Sequence, residues 1–288
     1  MGHGTGRGVL IVVTYGMDSS ASEFLTLGYR RFAFDASLME WARAAALVAP
    51  SVLADPAFDH WYRHKRTWFV GVNALPNDDE GRLPGGPPLQ GEIISFIADH
   101  LNFKGPWHRA QFSVCFPGYP QRDDNESESQ HRFRLMRDAA HVDGLHGEGP
   151  AKRRHLREVH HFILGIPLNE TPSDAAPLVV WEKSHLIMQA MFRRELGYVA
   201  PAQWGEVDLT EPYAEARREA FTACERRIVH AAPGEATLLH PMLLHGVAPW
   251  PSSGAPAHAS RMIAYFRPEL PAVTRWLSSV TNSNNQLD

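Results

Sequence analysis

Cysteine is nearly absent from this sequence. Of its 288 residues only Cys115 and Cys224 are cysteines, and the two are far apart with no CxxC pattern. We therefore expect neither a disulfide framework nor a cysteine-ligated zinc site. Two free thiols fit a reducing compartment, which favours a cytoplasmic protein.

Long apolar runs and an excess of basic residues are also missing. The longest apolar run near the start, Val9–Val13, is too short for the core of a signal peptide or for a membrane span. Lysine and arginine together number 28 against 32 acidic residues, which gives a formal net charge of -4. Neither nucleic acid nor an anionic membrane is therefore expected as a partner.

The sequence further lacks internal repeats, a GxGxxG motif, a Walker loop and any regular alternation of helices with strands. A doubly wound α/β sheet is therefore not expected. The length is sufficient for one large domain with a well-filled core, and we predict a single domain over residues 1–288.

Residues 1–105 have a mixed, partly helical pattern. Asp35 is a typical N-cap residue before apolar residues at helical spacing. Ile93, Ile97 and Leu101 mark one face of a second amphipathic helix. We expect this region to wrap around the rest of the domain.

Residues 106–270 change to short strands separated by turns. Apolar and polar residues alternate from Phe112 to Phe116, as in a half-buried strand. Further strands are predicted at Phe162–Leu168, Pro177–Trp181, Ile228–Ala231, Ala236–Leu239, Leu243–Val247 and Arg261–Arg267. Helical spacing over Ser184–Leu196 begins an insertion at about 184–225, and 271–288 form a tail. Seven or eight short strands predict a mainly β fold with flanking helices, built on a jelly-roll or barrel.

Histidine is unusually frequent, with 16 residues. On a strand, residues two apart point to the same face, so His141 and Asp143 would present an imidazole and a carboxylate side by side. These are two members of a two-histidine, one-carboxylate triad, which leaves three positions open on an octahedral Fe(II). Such a pair also arises by chance in a histidine-rich chain, and an exposed or core histidine near an aspartate is the alternative.

A second apolar segment supplies the third candidate ligand. His245 lies near the end of the strand Leu243–Val247, directly before Gly246, where the apolar surroundings exclude water and hold the ring still. His240 is the rival, because Pro241 breaks the strand and removes any parity argument. We favour a structural role for His240 at this bend.

The late strand carries a candidate cation. Arg261, Ile263, Tyr265 and Arg267 share one face. A 2-oxoglutarate cosubstrate that chelates iron through its keto acid end needs a fixed cation for its far carboxylate, and the planar fork of arginine suits this role. We expect Arg261 to bind it, although a surface salt bridge is the alternative, and we expect Arg267, at the strand end, to be a surface residue.

These three segments, in this order, resemble the phytanoyl-CoA dioxygenase-like branch of the Fe(II)/2-oxoglutarate oxygenases. The resemblance covers roughly Gln111 to Pro268 and consists of HxD, a Pro-Gly-Glu turn followed by LLHPxxLHG, and the late arginine. It implies a double-stranded β-helix (cupin-like) fold, His141, Asp143 and His245 as iron ligands, and Arg261 as the cosubstrate-binding residue. It also implies that His240 is not a ligand.

The chain departs from this family around one strand. The asparagine-glycine that usually precedes the strand is Ala176-Pro177 here, and Glu182-Lys183 replaces the first two residues of a PGSH-like turn. The ligands are not affected. Because halogenating relatives replace the HxD aspartate with a small residue, the presence of Asp143 implies a hydroxylase-type enzyme.

Three residues are weaker candidates for contact with the substrate. His146 lies beyond Gly144 in a predicted loop, and Arg153 lies in a basic stretch, 147–158, that is either a lid for an anionic substrate or a solvated loop. Trp181 either lines the substrate pocket or packs in the core. We predict no catalytic residue beyond the metal ligands.

The sequence therefore predicts an Fe(II)/2-oxoglutarate-dependent dioxygenase that uses dioxygen, hydroxylates a small organic substrate and releases succinate and carbon dioxide. One alternative is a cupin-type metalloenzyme that does not use 2-oxoglutarate, and another is a non-catalytic jelly-roll binding protein. The fold and the ligands serve many substrates, so they do not identify this one. The oligomeric state is not indicated either.

Overall fold

A computed structural model describes residues 19–253, 256, 259–270, 273 and 276–277 of the chain. The apolar run Val9–Val13 and most of the predicted tail 271–288 lie outside the described residues.

Six helices and twelve short strands occur in the described part of the chain. The helices are α1 (Ser19–Leu27), α2 (Ala36–Ala54), α3 (Glu92–His100), α4 (Glu128–Met136), α5 (Ser184–Leu196) and α6 (Thr210–Ala223), with 3₁₀ turns at Pro56–Trp61 and Pro201–Glu206. The strands are β1 (Tyr29–Phe32), β2 (Tyr62–Arg63), β3 (Trp68–Gly71), β4 (Gln111–Cys115), β5 (Leu145–Glu148), β6 (Arg153–Leu156), β7 (Ile163–Pro167), β8 (Leu178–Trp181), β9 (Arg226–Val229), β10 (Ala236–Leu239), β11 (His245–Val247) and β12 (Arg261–Phe266). None of these helices has the combination of length and apolar character that a membrane crossing requires.

Two antiparallel sheets face each other. The larger has the strand order β1-β10-β7-β12-β4-β3-β2, and the smaller has the order β11-β8-β9. Apolar side chains of both sheets form one buried cluster between them, consisting of Ile163, Leu178, Val180, Val229, Leu239 and Leu243. The prediction of a mainly β, jelly-roll core with flanking helices is confirmed.

The helices of the first hundred residues cover the outer face of the larger sheet. Trp41 of α2 is fully buried, and its ring centroid lies 5.7 Å from that of Phe266 on β12. Asp35 fixes two helices at once, because its carboxylate accepts from the backbone amides of Ser37 and Leu38 in α2 and of Glu92 in α3. One side chain thus orients both helices of the predicted wrap.

The insertion between β8 and β9 covers the outer face of the smaller sheet. Val179 and Trp181 point outward from β8 and pack in the same cluster as the apolar face of α5 and α6, whereas Leu178 and Val180 point inward. Trp181 is 2% exposed, and its ring lies edge-on to Phe221 of α6. The prediction that Trp181 lines a substrate pocket is therefore corrected: strand parity turns this ring away from the space between the sheets.

The basic stretch 147–158 is a hairpin and not a flexible loop. β5 and β6 pair in register around a turn at Gly149–Lys152, and an ion pair joins Arg157, just after β6, to Glu148 at the end of β5. The apolar period that marks the other strands is missing here, so the hairpin could not be read from the sequence. The same reason hides α4, which has no buried residue and begins at a capping box on Ser127.

Candidate metal centre

The two candidate histidines are direct partners across an isolated antiparallel bridge. The backbone N–H of His141 donates to the carbonyl of His245 at 2.8 Å, and the reverse bond is 3.0 Å long. This pairing places both side chains on the same face. Their ring centroids are 4.7 Å apart.

Asp143 lies beside the two histidines, but it is part of a turn and not of the predicted strand. Only His141 has strand pairing, and the chain turns immediately at Asp143-Gly144. The turn brings the Oδ1 atom of Asp143 to 3.1 Å from Nε2 of His141 and 3.9 Å from Nε2 of His245. Within the described residues this is the one group of histidine, cysteine or acidic side chains whose three ligand atoms all lie within 4.8 Å of one another.

Hydrogen bonds fix the tautomer of both imidazoles. The Nδ1 atoms of His141 and His245 lie 3.0 Å and 2.9 Å from the carbonyls of Ala139 and Leu243. A carbonyl only accepts, so each Nδ1 carries a hydrogen and each Nε2 is the nitrogen that faces the cluster. With a metal bound, the two Nε2 lone pairs would be directed to it, as a histidine-ligated metal requires.

The charge states also suit a metal. Burial favours the neutral acid of Asp143, but Arg267 and the hydrogen bond from His141 outweigh it and hold its pKa well below the usual range. Burial, followed by the proximity of His141, lowers the pKa of His245 to about 4. At neutral pH the cluster thus offers an ionised carboxylate and a neutral imidazole, the forms in which both groups bind metals.

Two glycines allow this close approach of backbone segments. A Cβ atom on Gly144, whose φ is +83°, would lie 2.1 Å from the carbonyl oxygen of Glu158. A Cβ atom on Gly246 would lie 2.1 Å from the carbonyl oxygen of Asp138. Each glycine follows a candidate ligand by one residue, so the backbone spacing of the cluster depends on both.

Gly246→Ala tests this dependence. The new methyl group must push the segment before His141 away from His245, which we expect to cost about 1–3 kcal/mol of unfolding free energy, as overpacking does. It should also weaken Fe(II) binding, because the bridge that joins the two histidines opens. Thermal unfolding and anaerobic metal titration measure both effects. A variant with wild-type stability and metal affinity would contradict the proposed role of this glycine.

A cavity lies between the two sheets and contains Arg261. It encloses about 500 Å³ of empty space, part of which is open to solvent, and its walls come from β7, β10 and β12 on one side and β8 and β9 on the other. Of the described residues that line it, Arg261 is the only arginine, lysine or acidic residue.

Among the residues that the structure describes, none gives the guanidinium of Arg261 an anionic partner. The residue is 8% exposed, and its Nη1 atom is buried without a hydrogen-bond partner. Its neighbour Cys115 does not compensate the charge, because burial raises the pKa of that thiol to about 12 and so keeps it neutral. A buried cation without a counter-ion is costly, and an anionic ligand in the cavity would offset that cost.

Arg267 is not the surface residue that the sequence predicts. Its side chain is 20% exposed, and its Nη1 atom lies 3.2 Å from Oδ2 of Asp143. None of the three candidate ligands lines the cavity. The strand β12 connects the cavity with the cluster, because Arg261, Ile263 and Tyr265 face the cavity and Arg267, directly after the strand, contacts Asp143. The sequence showed that Arg267 shares a strand face with Arg261. It did not show the turn that brings Asp143 to the end of this strand.

His240 lies outside the cluster. It is 5% exposed, and its Nδ1 atom accepts the backbone N–H of Met242 at 3.2 Å. Its ring packs against that of His185, with centroids 4.9 Å apart. Burial, followed by the proximity of His185, lowers its pKa to about 3. The ring is neutral, and its contacts with Met242 and His185 stabilise the bend at Pro241.

The two remaining substrate-side candidates, His146 and Arg153, are not members of the cluster. His146 is half exposed on β5, and its Nε2 atom is 3.5 Å from Oε1 of Glu158. Arg153 forms an ion pair with Asp208, just before α6. The Arg153 side chain is 63% exposed, and its contact with an anionic substrate stays a prediction.

No family model matches this chain, and no curated protein matches it either. Among solved structures it is similar to EctD from S. alaskensis with 2-oxoglutarate and 5-hydroxyectoine, at 16% identity and a TM-score of 0.44 over 87% of this chain and 75% of that chain. SnoK, a non-heme alpha-ketoglutarate-dependent carbocyclase from nogalamycin biosynthesis, has 14% identity and a TM-score of 0.44 over 91% and 89%. HygX from Streptomyces hygroscopicus, with nickel, 2-oxoglutarate and hygromycin B, has 12% identity and a TM-score of 0.41 over 87% and 86%. Identities and TM-scores this low support no statement about activity.

Proposed function

We propose that this chain is an Fe(II)/2-oxoglutarate-dependent dioxygenase of the phytanoyl-CoA dioxygenase-like kind that hydroxylates a small organic substrate. The observation that carries the proposal is a pair of complementary features. His141, Asp143 and His245 present two imidazole lone pairs and one carboxylate to a single point. At the other end of the same strand face, Arg261 has a buried Nη1 atom without a hydrogen-bond partner among the described residues.

The residues fit both groups that the reaction needs. His141, Asp143 and His245 would hold Fe(II), and the guanidinium of Arg261 would bind the far carboxylate of 2-oxoglutarate through charge-assisted hydrogen bonds. When bound, iron, 2-oxoglutarate and dioxygen together would supply the oxidation that hydroxylates the substrate and yields succinate and carbon dioxide. The protein contributes the ionised Asp143, the fixed Nε2 lone pairs and apolar walls that limit water around the cosubstrate.

The two alternative functions explain less. A cupin-type enzyme without 2-oxoglutarate accounts for the metal ligands but leaves the buried charge of Arg261 without a counter-ion. A binding protein with structural histidines accounts for neither, because a structural role does not require two imidazoles and a carboxylate to converge on one point. Within this proposal the chain is a single, cytoplasmic oxygenase domain, with two free cysteines that fit a reducing compartment.

An anaerobic titration tests the proposal. Protein loaded with Fe(II) should develop a weak visible charge-transfer band when 2-oxoglutarate is added, and should release succinate in air with a suitable substrate. Pyruvate is a matched control, since it has the keto acid but lacks the far carboxylate, and it should bind much more weakly. If iron-loaded protein gives no band at saturating 2-oxoglutarate, the proposal is rejected.

A further inference from the structure

We propose, on the basis of the function proposed above, that Arg267 is a positioning residue that restricts Asp143 to one metal-binding oxygen and so keeps room on the metal for the cosubstrate. The two oxygens of this carboxylate have different partners. Oδ1 faces both candidate imidazoles, at 3.1 Å and 3.9 Å. Oδ2 faces Nη1 of Arg267 at 3.2 Å.

Burial makes this division of the carboxylate firm. The Asp143 side chain is 10% exposed and that of Arg267 is 20% exposed, so water competes little for the contact. An ion pair of this kind is stronger than one on the surface, and its rupture would leave a charge without a partner in a poorly solvated place. Rotation of Oδ2 toward the metal would require that rupture.

The backbone of Arg267 is itself held on both sides. Its N–H donates to Nε2 of His108 at 3.2 Å, and its carbonyl lies 3.1 Å from Nδ1 of His160, which donates to it. The next residues are tied to the same segment, because the N–H of His161 donates to the carbonyl of Pro268 at 2.8 Å. The guanidinium is thus presented to Asp143 from a fixed origin, as a residue that orients a metal ligand needs to be.

The number of open positions explains why one oxygen matters. Two imidazoles and one carboxylate oxygen leave three positions of an octahedral Fe(II) free, enough for a chelating keto acid and dioxygen. A carboxylate bound through both oxygens would occupy one of these three. By holding Oδ2, Arg267 would therefore favour cosubstrate binding without contributing a ligand of its own.

Arg267→Met and Arg267→Lys test the inference, with Arg66→Met as a matched control. Arg66 forms an exposed ion pair with Asp59, at 3.3 Å with both side chains 60% exposed. Fe(II) affinity and 2-oxoglutarate affinity are measured separately under anaerobic conditions, and Co(II) replaces iron for a spectrum that reports coordination. In Arg267→Met we expect metal affinity within a few-fold of wild type or tighter, a changed Co(II) spectrum, and 2-oxoglutarate binding weakened by roughly 10–100-fold.

Arg267→Lys should recover part of the 2-oxoglutarate affinity, because an ammonium can still hold one oxygen. The inference is overturned if Arg267→Met binds 2-oxoglutarate like wild type, or if it loses Fe(II) itself. It is also overturned if only the apparent affinity for the organic substrate changes, which would make Arg267 a substrate contact. If Arg267→Met does not fold, as judged by circular dichroism, the Arg267→Lys measurements decide. Failure of the proposed function would be distinct, since wild-type protein would then give no band.

Discussion

Asp143→Ala is expected to bring 2-oxoglutarate-dependent succinate release down to the level of metal-free protein. The variant loses one of the three candidate ligands and the only anionic member of the cluster, so two neutral imidazoles alone would have to hold the metal. We expect a weakening of Fe(II) binding on the order of 100-fold or more, together with loss of the visible band. The measurements are anaerobic Fe(II) titration and succinate release in air.

The fold should survive this change, which makes the result interpretable. Asp143 is part of a turn, so its loss removes no strand pairing, and circular dichroism checks that the variant folds although Arg267 loses its partner. His141→Ala should behave alike, since that side chain is 48% exposed. His60→Ala, at an exposed histidine far from the cluster in sequence, controls for general loss of an imidazole. Wild-type turnover in both cluster variants would show that the metal, if any, binds elsewhere.

Patterns of period two predicted most of the jelly-roll and the neighbourhood of the site. Alternation at β4 and the apolar run at β7 each identify a strand that the structure contains. His245 and Arg261 could be singled out because each stands on a strand otherwise rich in apolar residues. In such a place a histidine or arginine needs a reason, whereas on an exposed helix it does not.

The sequence could not predict which side chains meet across the fold. The two-residue spacing on a strand predicted that His141 and Asp143 lie side by side. They do, but a turn and not a strand brings them together. The surroundings of Trp181 and Arg153 are set by Phe221 and Asp208, forty and fifty-five residues further along the chain, which no local pattern shows. Arg267 was predicted to be a surface residue because a strand end usually meets solvent. In the structure a turn that is distant in sequence covers it, and Asp143 of that turn contacts its guanidinium.

Substitution of Arg261 in the cavity is expected to change the stability of the protein as well as its affinity for 2-oxoglutarate. Arg261 is buried with an unpartnered Nη1, so in protein without cosubstrate it destabilises the fold and contributes no ion pair. Arg261→Met, which keeps the length and removes the charge, should therefore have an unfolding temperature equal to or above that of wild type in the absence of 2-oxoglutarate. A residue retained despite such a cost points to a ligand that compensates it.

Binding of 2-oxoglutarate should make the wild type, and not Arg261→Met, the protein with the higher unfolding temperature. In the Fe(II)-loaded protein, Arg261→Met is expected to weaken 2-oxoglutarate binding about 100-fold, since a charge-assisted contact in a buried site contributes about 3 kcal/mol. Excess 2-oxoglutarate should then raise the unfolding temperature of wild type but not of the variant, because a ligand stabilises only the state that binds it. Thermal shift and the anaerobic band measure the two effects on the same samples.

Pyruvate separates a role at the far carboxylate from a general disturbance of the cavity. Since pyruvate lacks that carboxylate, its weak affinity should be nearly the same in wild type and in Arg261→Met, while the difference between 2-oxoglutarate and pyruvate should largely disappear in the variant. Arg261→Lys should be intermediate, because it keeps the charge but loses the planar fork that matches a carboxylate. Equal loss of affinity for both keto acids would mean that the substitution damaged the metal end. Unchanged affinity for 2-oxoglutarate would mean that the guanidinium between the two sheets binds something else.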